Sequence, residues 1–459
     1  MAITLNKSYL SLKRGSMYQL EASEPCSWES SNPRVRVTDD GVVFAIRADV
    51  LRPDGQATIT ATSLIDDSTA TCKITIVNWI TNRHDMQLVN VFNGGSRMAM
   101  DRNGEIYYNT GSGLYKYDSN QYIGKPPTYP VVDSFIDTPF GYFYRENNCC
   151  IYRSYDLEDW ELIFTPIDPS TDKSSLQHSF PWWYDEATGK GYLFIGEYSL
   201  VTSTRHKVYR ITIEPDGSYA SEVVLEFYSY SEHTANNTLD PACLHIHSVC
   251  IDPYTGHLWV GTGDNSPHAA WRYSTDRGET WHLFAVGDGE KYRSLSMWFT
   301  ENYIYWNMDS NNPQHIFKIK REHIGDISKR ETVAKLDNGS MWYYMWAKDT
   351  DGKDFVIMAA SAEGEIRDWL TRLFGIWELP DGTNIVEELF CYPSITPDTY
   401  ISRVQFEPKF YDSNNTLYFG SRSIEPDGFW QMQLVKNDVD KKALARKMYR
   451  YFKAKFAVS

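Results

Sequence analysis

Over residues 1–78, apolar and polar positions alternate in short runs broken by Gly, Pro, Asn and Asp, the period-two signature of half-buried strands. Runs such as Leu10-Ser11-Leu12, Tyr18-Gln19-Leu20, Ala57-Thr58-Ile59-Thr60-Ala61 and Ile74-Thr75-Ile76-Val77 predict a small β-sandwich. From residue 89 to 437 the alternation continues with a longer repeat laid over it. His178, Asp185, Gly189 and Glu197 recur with identical internal spacing as His245, Asp252, Gly256 and Asp264. Each copy reads as an inner strand, an Asp/Gly turn and a second strand, Tyr192-Leu193-Phe194-Ile195 in one and Leu258-Trp259-Val260 in the other. Related units begin near Arg97, Arg293 and Arg403, and Arg403 lies 19 residues before Arg422, the spacing from His245 to Asp264. Self-similarity of this kind predicts radially repeated sheets. At roughly 50 residues per unit, the segment holds six or seven blades, seven being preferred. In residues 438–459 the period changes: Leu444, Met448, Tyr451, Phe452 and Phe456 fall at helical spacing among seven Lys and Arg residues, predicting a short basic amphipathic helix. Such a helix packs against the rest of the chain or docks on another protein. The expected organisation is a sandwich over 1–78, a linker over 79–88, a β-propeller over 89–437 and the terminal helix, an all-β chain in all else.

Two local motifs sharpen this picture. Ser274-Thr275-Asp276-Arg277-Gly278-Glu279-Thr280-Trp281 combines side chains that cap backbone N–H groups, a glycine for positive φ and a tryptophan to pack between sheets. Ser154-Tyr155-Asp156-Leu157-Glu158-Asp159-Trp160 repeats it one residue shorter. The first resembles an Asp box, the hairpin motif (BNR repeat) of sialidase-like β-propellers. Residues 1–78, with Gly15, Trp28-Glu29-Ser30-Ser31-Asn32-Pro33 and Asp40-Gly41-Val42-Val43, resemble the bacterial Ig-like group 2 (BIG2) pattern nearly end to end. That resemblance implies an extracellular, cell-surface or virion-associated spacer or adhesion module.

Composition narrows the partners. The net charge of −15 makes nucleic acid an unsuitable partner, and residues 1–80 carry 8 Lys/Arg against 9 Asp/Glu, so almost all of the excess lies beyond them. A local arginine cluster can still bind an anionic glycan, because fields in salt are short-ranged. The seven cysteines lack metal-site or disulfide-framework spacing and read mostly as buried thiols. No charged-then-apolar leader precedes Leu5, and no apolar run approaches the roughly 18 residues of a membrane span.

Equivalent positions of different blades converge on one central channel. Arg97, His178, His245, Arg293 and Arg403 align at strand starts, and Glu197, Asp264, Asp309 and Arg422 align at second-strand ends. Arg97, Arg293 and Arg403, helped by Arg422, suit bidentate binding of a uronate or sialate carboxylate; the bland alternative is a set of ion pairs with Glu197, Asp264 and Asp309. The sialidase resemblance implies an arginine triad with a Tyr/Glu nucleophilic pair, but no Phe-Arg-Ile-Pro segment surrounds Arg97 and no Tyr after Arg403 is assignable beyond Tyr411 and Tyr418. Histidines at strand starts suit a polysaccharide lyase instead, with His245 as base, Arg293 neutralising the carboxylate and His178 or Tyr198 as acid. Paired carboxylates from Glu197, Asp264 and Asp309 would make a hydrolase. Trp183, in Pro181-Trp182-Trp183-Tyr184, is a candidate sugar-stacking wall or blade core. His245-Ile246-His247 places two imidazoles on one strand face, but two ligands need a third, so neither metal nor cofactor is expected. The expected function is cleavage of an acidic glycan by lyase or hydrolase chemistry; the alternative is a non-catalytic glycan-binding adhesin or a phage virion or tail component.

Overall fold

The computed structural model describes the chain from residue 2 to 436, except for 14–16, 33–34, 46–53, 78–83, 93–96, 102, 111–112, 125–131, 147–148, 168–180, 265–267, 310–313, 337–340, 361–369, 394–402, 406–415 and 423–427. The C-terminal helix expected over 438–459 and His178 lie outside the described residues, and the side chains of Arg97, Arg403 and Arg422 are likewise not described.

The fold is all-β. At the N-terminus a four-stranded sheet (Tyr9–Lys13, Thr69–Val77, Asp54–Ser63, Cys26–Ser30) faces a three-stranded one (Met17–Gln19, Val42–Ala45, Val35–Val37). Leu10, Leu12, Ile59 and Ile74 of the first meet Val35 and Val43 of the second in one buried cluster, so the alternation of the sequence fills a sandwich core. The first strand, Tyr9–Lys13, pairs in parallel with Thr69–Val77.

Beyond the sandwich, the described residues form seven four-stranded antiparallel sheets, blades 1 to 7 in chain order, spanning 97–124, 132–164, 182–227, 245–286, 297–336, 341–393 and 403–436. Blade 7 borrows its outermost strand, His84–Phe92, from the chain segment before blade 1, pairing it with Gly428–Lys436. Half of that strand falls where the sequence suggested a linker. Its pairing ties the end of the propeller to its beginning, and Thr416–Arg422 of blade 7 lies against Arg97–Met100 of blade 1. The ring is thereby closed, and the sheet edges that remain are the short ones of each blade.

The core lies between blades rather than within them. Tyr192, Phe194 and Val208 of blade 3 pack with Ile246, Val249 and Val260 of blade 4. Trp259 and Trp271 of blade 4 pack with Phe299 and Trp306 of blade 5. Tyr344, Met345 and Trp346 of blade 6 also pack in such hydrophobic clusters. Among the described residues six cysteines are free, five of them buried, as their spacing suggested, and no helix is long and apolar enough to cross a membrane.

The repeat has a structural meaning at the turn between the first two strands of a blade. Gly189 and Gly256 have φ of 69° and 70° and donate to the carbonyls of Asp185 and Asp252. Each Asp side chain then receives an arginine of the next blade: Arg277 reaches Asp185 at 2.9 Å, and Arg321 reaches Asp252 through both guanidinium nitrogens.

The two Ser-x-Asp turns link third to fourth strands in blades 4 and 2. Ser274 Oγ accepts from Gly278 N–H at 2.7 Å, and Asp276 accepts from the backbone and hydroxyl of Thr280 at 2.8 and 2.6 Å. Trp281 Nε1 donates to the Val224 carbonyl of blade 3. In the shorter copy Ser154 Oγ accepts from Leu157 N–H, Asp156 Oδ1 from the backbone of Glu158 and Asp159, and Leu157 takes the positive φ of 70°. The Thr280 bonds hold the Asp276 carboxyl down at about 2. A lowered folded-state pKa stabilises above the unfolded value of about 3.9 and is lost as pH falls towards about 2. Asp276→Ala is therefore expected to melt below the wild type at neutral pH, with the difference shrinking as pH drops from about 4 to about 2. Thermal melts across that range check it, and a difference that grows on acidification would refute it.

Candidate functional site

Antiparallel pairing decides which residues share the channel mouth. His245 opens the inner strand of blade 4, His245–Ile251, and pairs with Gly263 at the end of Leu258–Gly263, so Asp264, the next residue, emerges beside it. Between Ile246 and Ser248 the register shifts, leaving His247 as the extra residue of a β-bulge. That bulge aims both imidazoles the same way: their rings stack at 4.8 Å with Nε2 atoms 2.9 Å apart. Gly263 makes the room. A Cβ there would strike the His247 ring, with Nε2 only 2.6 Å away and Cε1 closer still.

Asp264 closes the group, its Oδ2 3.0 Å from His245 Nε2 and its Oδ1 2.9 Å from His247 Nε2. The three ligand atoms lie within 4.8 Å of one another, a set that could hold a metal ion. The sequence reading set the histidine pair aside for want of a third ligand; the hairpin supplies it. Both histidines are buried, whereas Asp264 is 28 % exposed at its side chain. From blade 5, Arg293 brings Nε to 3.1 Å from Asp264 Oδ1 and 3.5 Å from Asp309 Oδ2, while its Nη1 lies 3.5 Å from Glu290. The backbone locks this arm, since Asp309 N–H donates to the Arg293 carbonyl at 2.7 Å. Tyr198 of blade 3, half-buried, lies over His245 with ring centroids 4.3 Å apart.

Charge follows from this packing. Burial would raise the Asp264 carboxyl, but hydrogen bonds from His245 and His247 outweigh it and hold the group well below the usual carboxylate range. Burial pushes His245 down, against the opposing pull of Asp264. Asp264 is thus an ionised carboxylate, unsuited to donate a proton. Among the described residues three carboxylates, of Asp264, Asp309 and Glu290, surround the guanidinium of Arg293, an excess of negative charge that favours a cation.

The remaining sequence candidates take other places. Glu197, aligned with Asp264, is fully buried; its Oε1 accepts from Tyr209 at 2.8 Å and its Oε2 from Lys207 N–H at 2.9 Å, making it a strut within blade 3 and not an accessible acid or nucleophile. His245 has no exposed surface, so as it stands it cannot reach a sugar as a base. Trp183 packs against Gly256 in the turn at the far end of blade 4's first hairpin, about 20 Å from His245 along a seven-residue strand, and belongs to the blade 3–4 core. Arg97 and Arg403 do open the inner strands of blades 1 and 7, and Arg403 pairs with Arg422 across that sheet, which brings their backbones to strand ends equivalent to His245 and Gly263. Tyr418 is buried in the blade core, edge-on to Tyr117, and Tyr411 lies outside the described residues. A separate open cleft lined by Tyr303, Lys320, Arg321, Glu378 and Asp381 lies on the opposite, turn side of blades 5 and 6.

No family model matches the chain, and no curated protein matches it. Among solved structures, it is similar to a Trypanosoma rangeli sialidase in complex with sialic acid (10 % identity, 80 % of this chain and 61 % of that one, TM-score 0.36). It is also similar to BBS1N from a complex with ARL6DN (9 % identity, 76 % and 97 % covered, TM-score 0.42) and to a glucose dehydrogenase (9 %, 65 % and 94 %, TM-score 0.39).

Proposed function

We propose that this protein is a carbohydrate-active propeller that engages an acidic glycan at the rim between blades 3, 4 and 5 and cleaves it by lyase or hydrolase chemistry. The division into an Ig-like module and a propeller, and an extracellular, cell-surface or virion setting, belong to the same proposal. The observation that carries it is the convergence of part-exposed Tyr198, Asp264 and Arg293 at the inner ends of neighbouring blades, the place where a propeller presents a ligand. The Arg293 side chain is 23 % exposed and can meet a sugar carboxylate. Tyr198 is the group placed to touch a sugar ring and pass a proton, while His245 and His247 act as positioning residues that hold Asp264. A second reading, glycan binding without turnover, is favoured by the enclosure of His245 and by the three carboxylates that already engage Arg293.

Incubation with a panel of uronate- and sialate-containing glycans tests the proposal. Unsaturated product with new reducing ends identifies a lyase, and reducing ends alone a hydrolase. Binding without product identifies the second reading, and neither binding nor product overturns both. Arg293→Ala is expected to weaken glycan binding ten- to hundredfold, the worth of a charged hydrogen bond of about 1.5–3 kcal/mol. Equal binding by a folded Arg293→Ala variant would remove Arg293 from the site.

A further inference from the structure

The geometry points to a divalent metal site formed by His245 Nε2, His247 Nε2 and Asp264, selective for first-row ions that accept six-coordinate geometry. The two Nε2 atoms lie 2.9 Å apart and both face Asp264, so one cation can take the place of the protons that would otherwise be shared among them. Asp264 Oδ2 lies 3.0 Å from His245 Nε2 and Oδ1 2.9 Å from His247 Nε2, so the carboxylate faces the pair with both oxygens and would bind a metal through both. Every feature around it serves this convergence: the bulge at His247, the absent Cβ at Gly263 and the enclosure of both rings. Neither Nδ1 finds an aligned acceptor, and the His245 ring has the Ser199 backbone beside it, a carbonyl of the kind that orients metal-bound histidines.

The spans also indicate which ion fits. With metal–ligand bonds of about 2.1 Å, sides of 2.9–3.0 Å subtend about 90° at the metal. That is the angle between neighbouring corners of an octahedron and falls short of a tetrahedron's, which favours iron(II), manganese(II) or cobalt(II) over a closed zinc site. The remaining corners face the side on which Asp264 is exposed, leaving room for water or an anionic oxygen ligand. A metal there would offset the net negative charge of Asp264, Asp309 and Glu290, which Arg293 alone does not balance. The site stands on the protein alone and needs no glycan, so its failure and the failure of the proposed function are separable.

The full-length chain, stripped with a chelator and dialysed, would be titrated with Co²⁺ and followed by calorimetry and visible absorption. One Co²⁺ per chain is expected, with the weak d–d bands of six-coordinate cobalt. His247→Gln and Asp264→Asn should each lower the affinity at least tenfold, whereas Arg293→Gln should retain or raise it. Asp264 is part-exposed, so its variant should fold even if the histidine variant does not, and circular dichroism checks both. Absence of stoichiometric Co²⁺ binding by the folded wild type would leave the histidines sharing a proton and overturn the proposal. Equal affinity in wild type and Asp264→Asn would overturn it as well, as would intense tetrahedral bands for the geometry assigned.

Discussion

Replacing Arg321 with methionine is expected to destabilise the protein by about 3–5 kcal/mol, because it strands a buried carboxylate. Asp252 has no exposed side-chain surface, and Arg321 grips both of its oxygens from the neighbouring blade. The same guanidinium donates to the Thr300 carbonyl at 2.7 and 3.0 Å, and without it Asp252 keeps only the neutral donors Tyr254 N–H and the Thr255 hydroxyl against its buried charge. Methionine keeps much of the stem's volume but removes the guanidinium from over the Tyr254 ring, so the loss reports the charged head and not the stem. Denaturant unfolding should show a lower midpoint at unchanged slope. A further Asp252→Asn change in the Arg321→Met background should recover part of the loss, since it removes the uncompensated charge. If Arg321→Met unfolds within about 0.5 kcal/mol of the wild type, the blade-to-blade latch is decorative.

Trp259→Ala should cost a similar amount, about 3–5 kcal/mol, by a different mechanism. Its indole is fully buried, stacked on Tyr273 at 5.0 Å, edge-on to Phe284 at 5.2 Å, and near Phe299 of blade 5 at 6.2 Å. Truncation opens a cavity at a seam between two sheets, where neither can collapse without shifting its register in the ring. Trp259→Phe should lose less than half as much. Equal effects for the two variants would show that the cost lies in something other than the cavity, and chemical denaturation with matched slopes decides between them.

The site was half legible. The recurrence of 19 residues put His245 at a strand start and Asp264 at a second-strand end, and the structure brings the two together because an antiparallel hairpin of that length returns the chain to its own starting level. The recurrence did not separate Asp264 from Glu197, which share a topological position. Glu197 is one methylene longer, and its oxygens accept from Lys207 and Tyr209, whereas Asp264 turns to the histidines. Trp183 stayed open between sugar wall and blade core for a related reason: period-two alternation reports the face on which a side chain lies but not which end of the channel it approaches. Alternation put His247 on the face of His245, but the third partner, Asp264, and the Gly263 that accommodates the His247 ring lie at the end of the other strand of the hairpin and read in sequence as an ordinary strand end.

By itself the sequence determined the class of the molecule: strand alternation, Asp/Gly turns and paired Ser-x-Asp turns are local, backbone-level signals that survive without knowledge of neighbours. It also determined that the blades would be similar, since each repeat must satisfy the same turn and bury the same two faces. Tertiary structure decided what repetition cannot encode. The strand His84–Phe92 completes blade 7 because ring closure brings the chain's two ends together, across more than 300 residues of sequence. Arg277 and Arg321 meet Asp185 and Asp252 only because successive blades are adjacent. The His245, His247 and Asp264 triangle, with Arg293 beside it, depends on distances of about 3 Å, and such distances follow from packing a bulge, a glycine and a neighbouring blade in three dimensions.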